Sequence, residues 1–366
     1  MLRAGIVGLP NVGKTTFFNA VTAQSSGLIS NYPFSSTKAN VGVVAVPDER
    51  LAPLAKIVKT TVLVPASVEF VDIAGLVRGS SKGEGLGNQF LSNIRETDTM
   101  IQVVRCFEDE AVPHVDGSID PKRDIETIQI ELALADLATV ERRRERVQKA
   151  AKSGDKTAKS ELEVLDKLHP VLEEFKPAKS IDFTAEELAI TRNYFLLTMK
   201  PTIYAANVSE STLSAPEQDQ HVRAVQEIAA SEDSECVVIC ARLEADLVEL
   251  SAEEQHEYLS SLGLTSSGAD KLIKSAYRVL GLMSFLTAGE KEARAWTISQ
   301  GSRAQDAAGA IHSDIARGFI KAEIVGYDDL MGAGSYAAAK EKGLLRLEGK
   351  DYIMQEGDIV NFRFNV

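Results

Sequence analysis

The chain has 366 residues, 44% of them apolar and 25% charged, with a formal net charge of −13. That length allows two or three domains with cores of their own, and the composition is ordinary for a globular protein. The negative balance argues against a purely electrostatic grip on nucleic acid by the whole surface, although a local basic patch remains compatible with it. No apolar run approaches the roughly 18 residues of a membrane-spanning helix, so none is expected to span a bilayer.

Leu2 to Gly8 reads as a first strand feeding a loop, not as a basic segment followed by a long apolar one, so no signal peptide is expected. The strand Ala4 to Val7 is followed by a helix over Lys14 to Ala23. Further strands are predicted over 41–46, 67–72 and 100–106. Short β-rich runs alternating with helices are the signature of an α/β domain around a mostly parallel sheet.

From Asp124 the periodicity changes. Ile125, Ile128, Leu132 and Ala135 recur at helical spacing, and the pattern continues through Glu141-Arg-Arg-Arg-Glu145 to about Ala151. After the turn-like 152–156, Leu162, Leu165, Leu168 and Leu172 mark a second stripe, which predicts an antiparallel helical hairpin. Thr184-Ala-Glu-Glu187 is a capping box opening a third helix through Tyr194.

Strand character returns at 203–206 and 236–240, so the α/β domain resumes after a helical insertion. Ser251-Ala-Glu-Glu254 marks another helix start, and Leu272 to Leu280 a further helix. Beyond Leu286 a small α+β unit of about 80 residues is expected, with strands at 294–298, 321–325 and 359–364 and one helix over 304–315. His312 falls in that helix among small apolar residues and reads as structural. The domain boundaries expected from these shifts are 1–122 and 197–280 for the α/β domain, 123–196 for the helical insertion and 281–366 for the last domain.

The three cysteines, Cys106, Cys236 and Cys240, suit a reducing compartment. Cys236 and Cys240 lack the C-x-x-C spacing of a redox pair or zinc knuckle and lie in an apolar run, so core thiols are expected.

Gly8-Leu-Pro-Asn-Val-Gly-Lys14-Thr15 matches G-x-x-x-x-G-K-[ST] in full, between a strand and a helix, as a P-loop requires. Amides of Asn11, Val12, Gly13, Lys14, Thr15 and Thr16 at the helix N-terminus would face phosphate. Lys14 would reach the β- and γ-phosphates and Thr15 would ligate Mg²⁺. Asp72-Ile-Ala-Gly75 follows a strand, so Asp72 would hold Mg²⁺ through water and Gly75 would offer its N–H to a γ-phosphate. Arg78 to Asn88 carries four glycines, and 31–37 carries hydroxyls able to complete the metal shell.

Familiar switch GTPases place a water-orienting Gln after D-x-x-G, where this chain has Leu76. The best local substitute is His114, in the acidic loop from Glu108 to Gly117, because imidazole can orient or accept from water near neutral pH. An ordinary exposed loop histidine is the alternative.

The chain resembles the YchF family of Obg-like P-loop ATPases, and the resemblance spans essentially its whole length. It rests on GLPNVGKT at 8–15, FVDIAGLVRGSSKGEGLGNQFLSNIRETD at 70–98 and VVRCFED at 103–109. ELALADL at 131–137, ANVSE at 206–210, KEARAWTI at 291–298 and the terminal GDIVNFRFNV extend it. The resemblance implies a Ras-like P-loop nucleotide domain interrupted by a coiled-coil hairpin and followed by an α+β TGS domain of ubiquitin-like β-grasp form. It also implies a cytoplasmic, slow ATPase that prefers ATP over GTP, associates with the ribosome through the hairpin and TGS domain, and is linked to translation or stress responses. By the same resemblance His114 and Lys14 are catalytic, Leu76 replaces the usual glutamine, and Asn11 matches an asparagine that helps bind K⁺. Thr15, Ser36 and Asp72 are the expected Mg²⁺ ligands. The family commonly has threonine where Ser36 stands, with Thr37 displaced by one, so the switch hydroxyl is either of the two.

The base loop is Asn207-Val208-Ser209-Glu210, where a guanine reader would carry Asn-Lys-x-Asp. Asn207 can still join the P-loop to the ligand region, and Val208 can cover one face of a base. Glu210 is longer than Asp by a methylene, a shift of roughly 1 Å that would spoil a paired bond to guanine. Such a loss is worth about 1–3 kcal/mol. Residue chemistry therefore predicts weakened guanine recognition, and the family resemblance supplies the ATP preference.

Residues 122–160 hold ten Lys/Arg against seven Asp/Glu, with Arg142, Arg143, Arg144 and Arg146 concentrated together. Such a stripe could touch ribosomal RNA phosphates, or be a solvated helix laced with ion pairs. Two other functional readings stand beside the ribosome-linked ATPase: a GTPase with a non-standard base loop, and an interaction module stabilised by nucleotide without turnover.

Overall fold

The computed structural model describes residues 2–26, 40–75 and 86–365. In chain order the strands are β1 (Arg3–Val7), β2 (Val41–Ala45), β3 (Leu63–Val64), β4 (Ser67–Asp72), β5 (Thr99–Arg105) and β6 (Thr202–Asn207). They continue with β7 (Glu235–Ile239), β8 (Leu282–Ala288), β9 (Ala293–Ser299), β10 (Phe319–Gly326), β11 (Arg346–Glu348) and β12 (Asp358–Phe364). One sheet has the order β2-β4-β1-β5-β6-β7 and the other β11-β10-β12-β8-β9-β3. The described residues form two compact units. One holds 2–21, 40–42, 70–75 and 86–272, and the other 22–26, 43–69 and 273–365.

In the first unit β1, β5, β6 and β7 pair in parallel. Arg105, Asn207 and Ile239 stand side by side in the register, so the carboxyl ends of these strands open onto one edge. In open α/β sheets that edge receives ligands, because each strand delivers a loop and a helix N-terminus there. The central strands β5 and β6 are buried along their whole length and β1 over all but its first residue, while the edge strand β7 is half-buried, which explains the nearly uninterrupted apolar sequences of the centre.

The predicted hairpin is present as the helices Pro121–Lys152 and Lys156–Glu173. Asp120 caps the first by accepting from the Arg123 N–H, with Pro121 opening the helix where its missing N–H costs nothing. Asp155 caps the second through the N–H groups of Thr157 and Ala158. Leu165, Leu168 and Leu172 are fully buried against Val140, Val147 and Ala151, as the leucine stripe predicts. The acidic residue within ELALADL has a structural use. Asp136 is buried and accepts from the N–H groups of Leu197 and Thr198 and from the Thr198 hydroxyl, which ties the hairpin to the chain leading into β6. Burial pushes its carboxyl pKa up, and those three bonds oppose the shift.

The thiols of Cys106 and Cys240 are buried and that of Cys236 is half-buried, and all three are free. Burial raises each of their pKa values, Cys236 to about 11, which makes them inert packing groups.

The second unit is a β-grasp. The hairpin β8–β9 is antiparallel, β12 lies beside β8 in parallel, and β10 pairs antiparallel with β12 and β11. Ala304, Ala307 and Ala308 of the helix Ala304–Ile311 are fully buried, and their small side chains bring the helix close to the sheet. Phe285 and Phe362 meet edge-to-face at 5.9 Å beneath it. The two-residue β3, preceded by the helix Leu51–Val58, adds in parallel to β9. That pairing joins chain segments on either side of the nucleotide domain, and no local pattern announces it.

The helix predicted over 304–315 is two helices, Ala304–Ile311 and Ser313–Arg317, with His312 extended between them. His312 is therefore not inside a helix among apolar neighbours. Its side chain is 63% exposed, and Nδ1 accepts from the Asp314 N–H as the cap of the second helix. Ile311 and Ile315, on either side of the break, both pack against the core of this unit, so their helical spacing in the sequence does not mark it. Among the described residues no helix is long and apolar enough to cross a membrane.

Candidate functional site: a nucleotide cleft at the carboxyl edge

The loop after β1 turns sharply through Asn11 (φ 61°) and Gly13 (φ 97°) into the helix Lys14–Ser26. Gly13 has a second requirement besides its backbone angle. A Cβ there would overlap the side-chain amide of Asn207. Asn207 is buried, and its Nδ2 donates to the Val12 carbonyl at 2.8 Å while its Oδ1 accepts from the Ala241 N–H at 2.9 Å. One side chain at the end of β6 thus braces the P-loop against the loop that follows β7.

Lys14 is 7% exposed and its Nζ donates to the Leu9 carbonyl at 2.7 Å. Burial lowers its pKa to about 8, against the opposing attraction of Asp72. Gly75 lies close by, since a Cβ on it would stand 3.2 Å from Lys14 Nζ. The Thr15 hydroxyl donates to Asp72 Oδ2 at 2.9 Å. Asp72 Oδ1 is buried without a hydrogen-bond partner among the described residues. An orphaned buried carboxylate oxygen beside a threonine hydroxyl is the donor set a hard divalent cation takes, so these residues fit Mg²⁺. Ser36, Thr37, Leu76 and most of the glycine-rich 78–88 lie outside the described residues.

Beside the P-loop opens a cavity of about 540 Å³. Its apolar surfaces include Phe107, Val112 and Val208, and Ser209, Glu210, Arg242 and Asp246 add polar groups. Such a cavity suits a nucleoside, with apolar walls for ring faces and a few polar groups for the ring edge. The 107–109 loop is held by Arg105. Its guanidinium lies 4.5 Å from the Phe107 ring centroid and donates to the Phe107 and Asp109 carbonyls. Glu210 Oε1 accepts from the Tyr258 hydroxyl at 3.0 Å.

Of the sequence-predicted residues, Lys14, Thr15, Asp72 and Gly75 gather beside the loop after β1, and Asn11, Gly13, Thr16, Asn207, Val208 and Glu210 line the adjoining cavity. Sequence reading missed Phe107, Val112, Arg242, Asp246 and Tyr258. The available signal for the first four was topological, since they follow the carboxyl ends of β5 and β7.

His114 is placed differently from a free loop histidine. Its side chain is 4% exposed, Nε2 lies 2.8 Å from Asp124 Oδ2, and Nδ1 accepts from the Asp116 N–H. The second contact assigns the tautomer, so Nε2–H donates to Asp124 and both ring nitrogens are engaged. The neighbouring Pro113 carbonyl accepts from Asn11 Nδ2 at 3.2 Å, which sets this loop directly against the P-loop. His114, Asp116 and Asp124 have ligand atoms within 4.8 Å of one another. Arg123 pairs with both carboxylates and supplies the positive charge there.

Comparison with known proteins agrees with this geometry. Residues 3–141 match a family model described as a 50S ribosome-binding GTPase, and residues 282–365 match the model YchF-GTPase_C, described as a protein of unknown function. The chain is 52% identical over 365 residues to the ribosome-binding ATPase YchF of Bacillus subtilis, covering 100% of both chains. The chain belongs to the YchF family. The ribosome-binding ATPase YchF of Haemophilus influenzae is 51% identical over 365 residues, 100% of this chain and 99% of that one. The solved YchF GTPase of Schizosaccharomyces pombe matches with a TM-score of 0.88 at 36% identity, covering 99% of this chain and 97% of that one. The P-loop domain, helical hairpin and β-grasp unit thus belong to the YchF architecture, as the sequence motifs imply. The names of the relatives differ over the base, ATPase in the bacterial proteins and GTPase in the yeast structure.

Proposed function

We propose that the chain is a slow, Mg²⁺-dependent ATPase that acts as a nucleotide switch on the ribosome. The observation that carries this reading is the single buried side chain of Asn207, which couples a complete phosphate loop to a purine-sized cavity. The full-length likeness to bacterial ribosome-binding ATPases supports the partner and the base.

Thr15 and Asp72 would hold Mg²⁺, with Ser36 or Thr37 completing the set. When bound, the ion would offset negative charge on the phosphates. Lys14 would exchange the Leu9 carbonyl for a phosphate oxygen, and Gly75 would donate its N–H to the γ-phosphate. Asn11 Oδ1 is the atom available to a K⁺ ion, since Nδ2 is spent on Pro113. His114 would orient the attacking water only after its Nε2 leaves Asp124, so turnover requires the 108–117 loop to rearrange. That requirement would keep basal hydrolysis slow until a partner moves the loop.

Calorimetry with ATP and GTP in the presence of Mg²⁺ tests the base assignment. ATP is expected to bind at least about tenfold tighter, a difference near 1.4 kcal/mol, and equal or tighter GTP binding would overturn it. His114→Ala is expected to lower turnover by about 10²-fold with little change in the ATP dissociation constant. Unchanged turnover would remove His114 from the chemistry.

The hairpin supplies the proposed ribosome contact. Arg143 is bonded to Glu161 and Arg144 to Asp166, so these two are occupied within the hairpin. Arg142 and Arg146 are exposed and line, with Asn193, a recess of about 320 Å³. Two phosphates neutralised there would give a salt slope of roughly −1.4 to −1.8. The double variant Arg142→Ala/Arg146→Ala should weaken ribosome binding and flatten the salt dependence by about that amount. An unchanged slope would assign the contact elsewhere.

A further inference from the structure

Glu210 stands where a guanine reader carries aspartate, and its length alone is an incomplete barrier to guanine, because a longer side chain can fold to recover lost geometry. The structure contains a second constraint. Tyr258 lies on the helix Ala252–Ser261 and donates its hydroxyl to Glu210 Oε1 at 3.0 Å. That phenol is itself held in place. Gln255, one turn earlier, donates Nε2 to the Leu247 and Leu250 carbonyls, and the Tyr258 ring packs on the core cluster that contains Cys240, Leu243 and Leu247. Ser251 and Glu254 close the helix start with a reciprocal capping box. The donor is therefore preorganised, and the carboxylate adapts to it.

We propose that Tyr258 is a specificity-determining residue of the nucleotide site, which withdraws one of the two Glu210 oxygens from the base and so disfavours guanine. The inference rests on the ATP reading above and names the residue behind it. Guanine offers two adjacent donors, N1–H and the 2-amino group, and a carboxylate satisfies both only with both oxygens. Oε1 keeps a second lone pair, but with one taken by the Tyr258 hydroxyl and the carboxylate turned toward that phenol, one of the two guanine donors entering the pocket would exchange its water for a shared acceptor, a costly exchange. Adenine has no N1–H, and its single amino group needs one acceptor at most. Glu210 in this state suits adenine by offering one free oxygen, where aspartate in a guanine reader offers two.

The test measures dissociation constants of ATP, GTP and inosine triphosphate with Mg²⁺ on the full chain and on Tyr258→Phe, which keeps the packed ring and deletes only the hydroxyl. Inosine retains N1–H and lacks the 2-amino group, so it separates two-donor pairing from a general loosening of the pocket. Tyr258→Phe is expected to tighten GTP binding about tenfold, to tighten inosine triphosphate binding less, and to change ATP binding by under about twofold. In a Glu210→Ala background the same substitution should have no effect on selectivity. Equal changes for ATP and GTP, no change, a gain for inosine equal to that for guanine, or an effect persisting without Glu210 would each overturn the proposal. Wild-type protein that already binds GTP as tightly as ATP would overturn the ATP reading instead, and the response of Tyr258→Phe would still decide whether Tyr258 restrains Glu210.

Discussion

Lys14→Met is expected to lower nucleotide turnover by at least about 10²-fold, the scale of a lost transition-state charge contact, without destabilising the nucleotide-free protein. The two effects have one cause. Lys14 is charged, buried and, among the described residues, bonded to the Leu9 carbonyl, and burial depresses its pKa from the ordinary 10.5 to about 8. At neutral pH that depression corresponds to roughly 3 kcal/mol of cost for keeping the charge folded, offset in part by the bond to Leu9. Methionine fills similar space without that cost. The sign of the pH dependence follows directly. Between pH 8 and 10.5 the unfolded chain binds the proton that the folded chain has lost, so wild-type stability rises with pH through that window. Denaturant titrations from pH 7 to 10.5 should show that rise in the wild type and a correspondingly smaller one in Lys14→Met. A variant much less stable than wild type at pH 7 would show that Lys14 is part of the fold's support and not a charge held for a ligand.

Asn207→Ala is expected to destabilise the first unit by about 2–4 kcal/mol and to weaken ATP binding by more than tenfold. The substitution strands two buried backbone groups, the Val12 carbonyl and the Ala241 N–H, each of which gives up a protein partner with no ready access to water. Val12 lies in the phosphate loop and Ala241 in the cavity wall, so both ends of the nucleotide site lose their brace together. Asn207→Asp should not rescue it, because the second oxygen would face the Val12 carbonyl. Urea denaturation and ATP calorimetry on the same preparations measure both effects. A stability loss under about 1 kcal/mol with unchanged ATP affinity would mean that the bridge is not what holds the two ends together.

The P-loop end of the candidate site was legible as a pattern because its parts are contiguous. Gly8 to Thr15 is one unbroken loop between a strand and a helix, and Asp72 ends a strand whose apolar pattern is plain. Asn207 was legible in type, as an asparagine ending a buried strand, and its two partners follow β1 and β7, which the parallel register of β1, β5, β6 and β7 brings to the same edge. His114 was read as the best local substitute for the missing glutamine, but its present engagement was not legible. Asp124 was read only as the start of a helical stripe, and nothing local says that its carboxylate faces back to take the imidazole proton. The helix predicted through His312 failed for a related reason. Apolar periodicity reports which face is buried and is blind to a one-residue break that a side-chain cap repairs.

By itself the sequence determined the P-loop chemistry, the alternation that builds a parallel sheet, the hairpin with its leucine stripe, and the altered base loop, because each is a short-range pattern tied to a local backbone geometry. Only the tertiary structure decided what reaches the cavity. Phe107, Arg242 and Asp246 converge because parallel strands deliver distant loops to one edge. Tyr258 meets Glu210 across 48 residues because a separately capped helix packs on the same core. The strand Leu63–Val64 joins β9 by backbone hydrogen bonds that carry no side-chain signature. Pairing across such separations depends on the closed fold, where loop entropy has already been spent, and no window of sequence contains both partners.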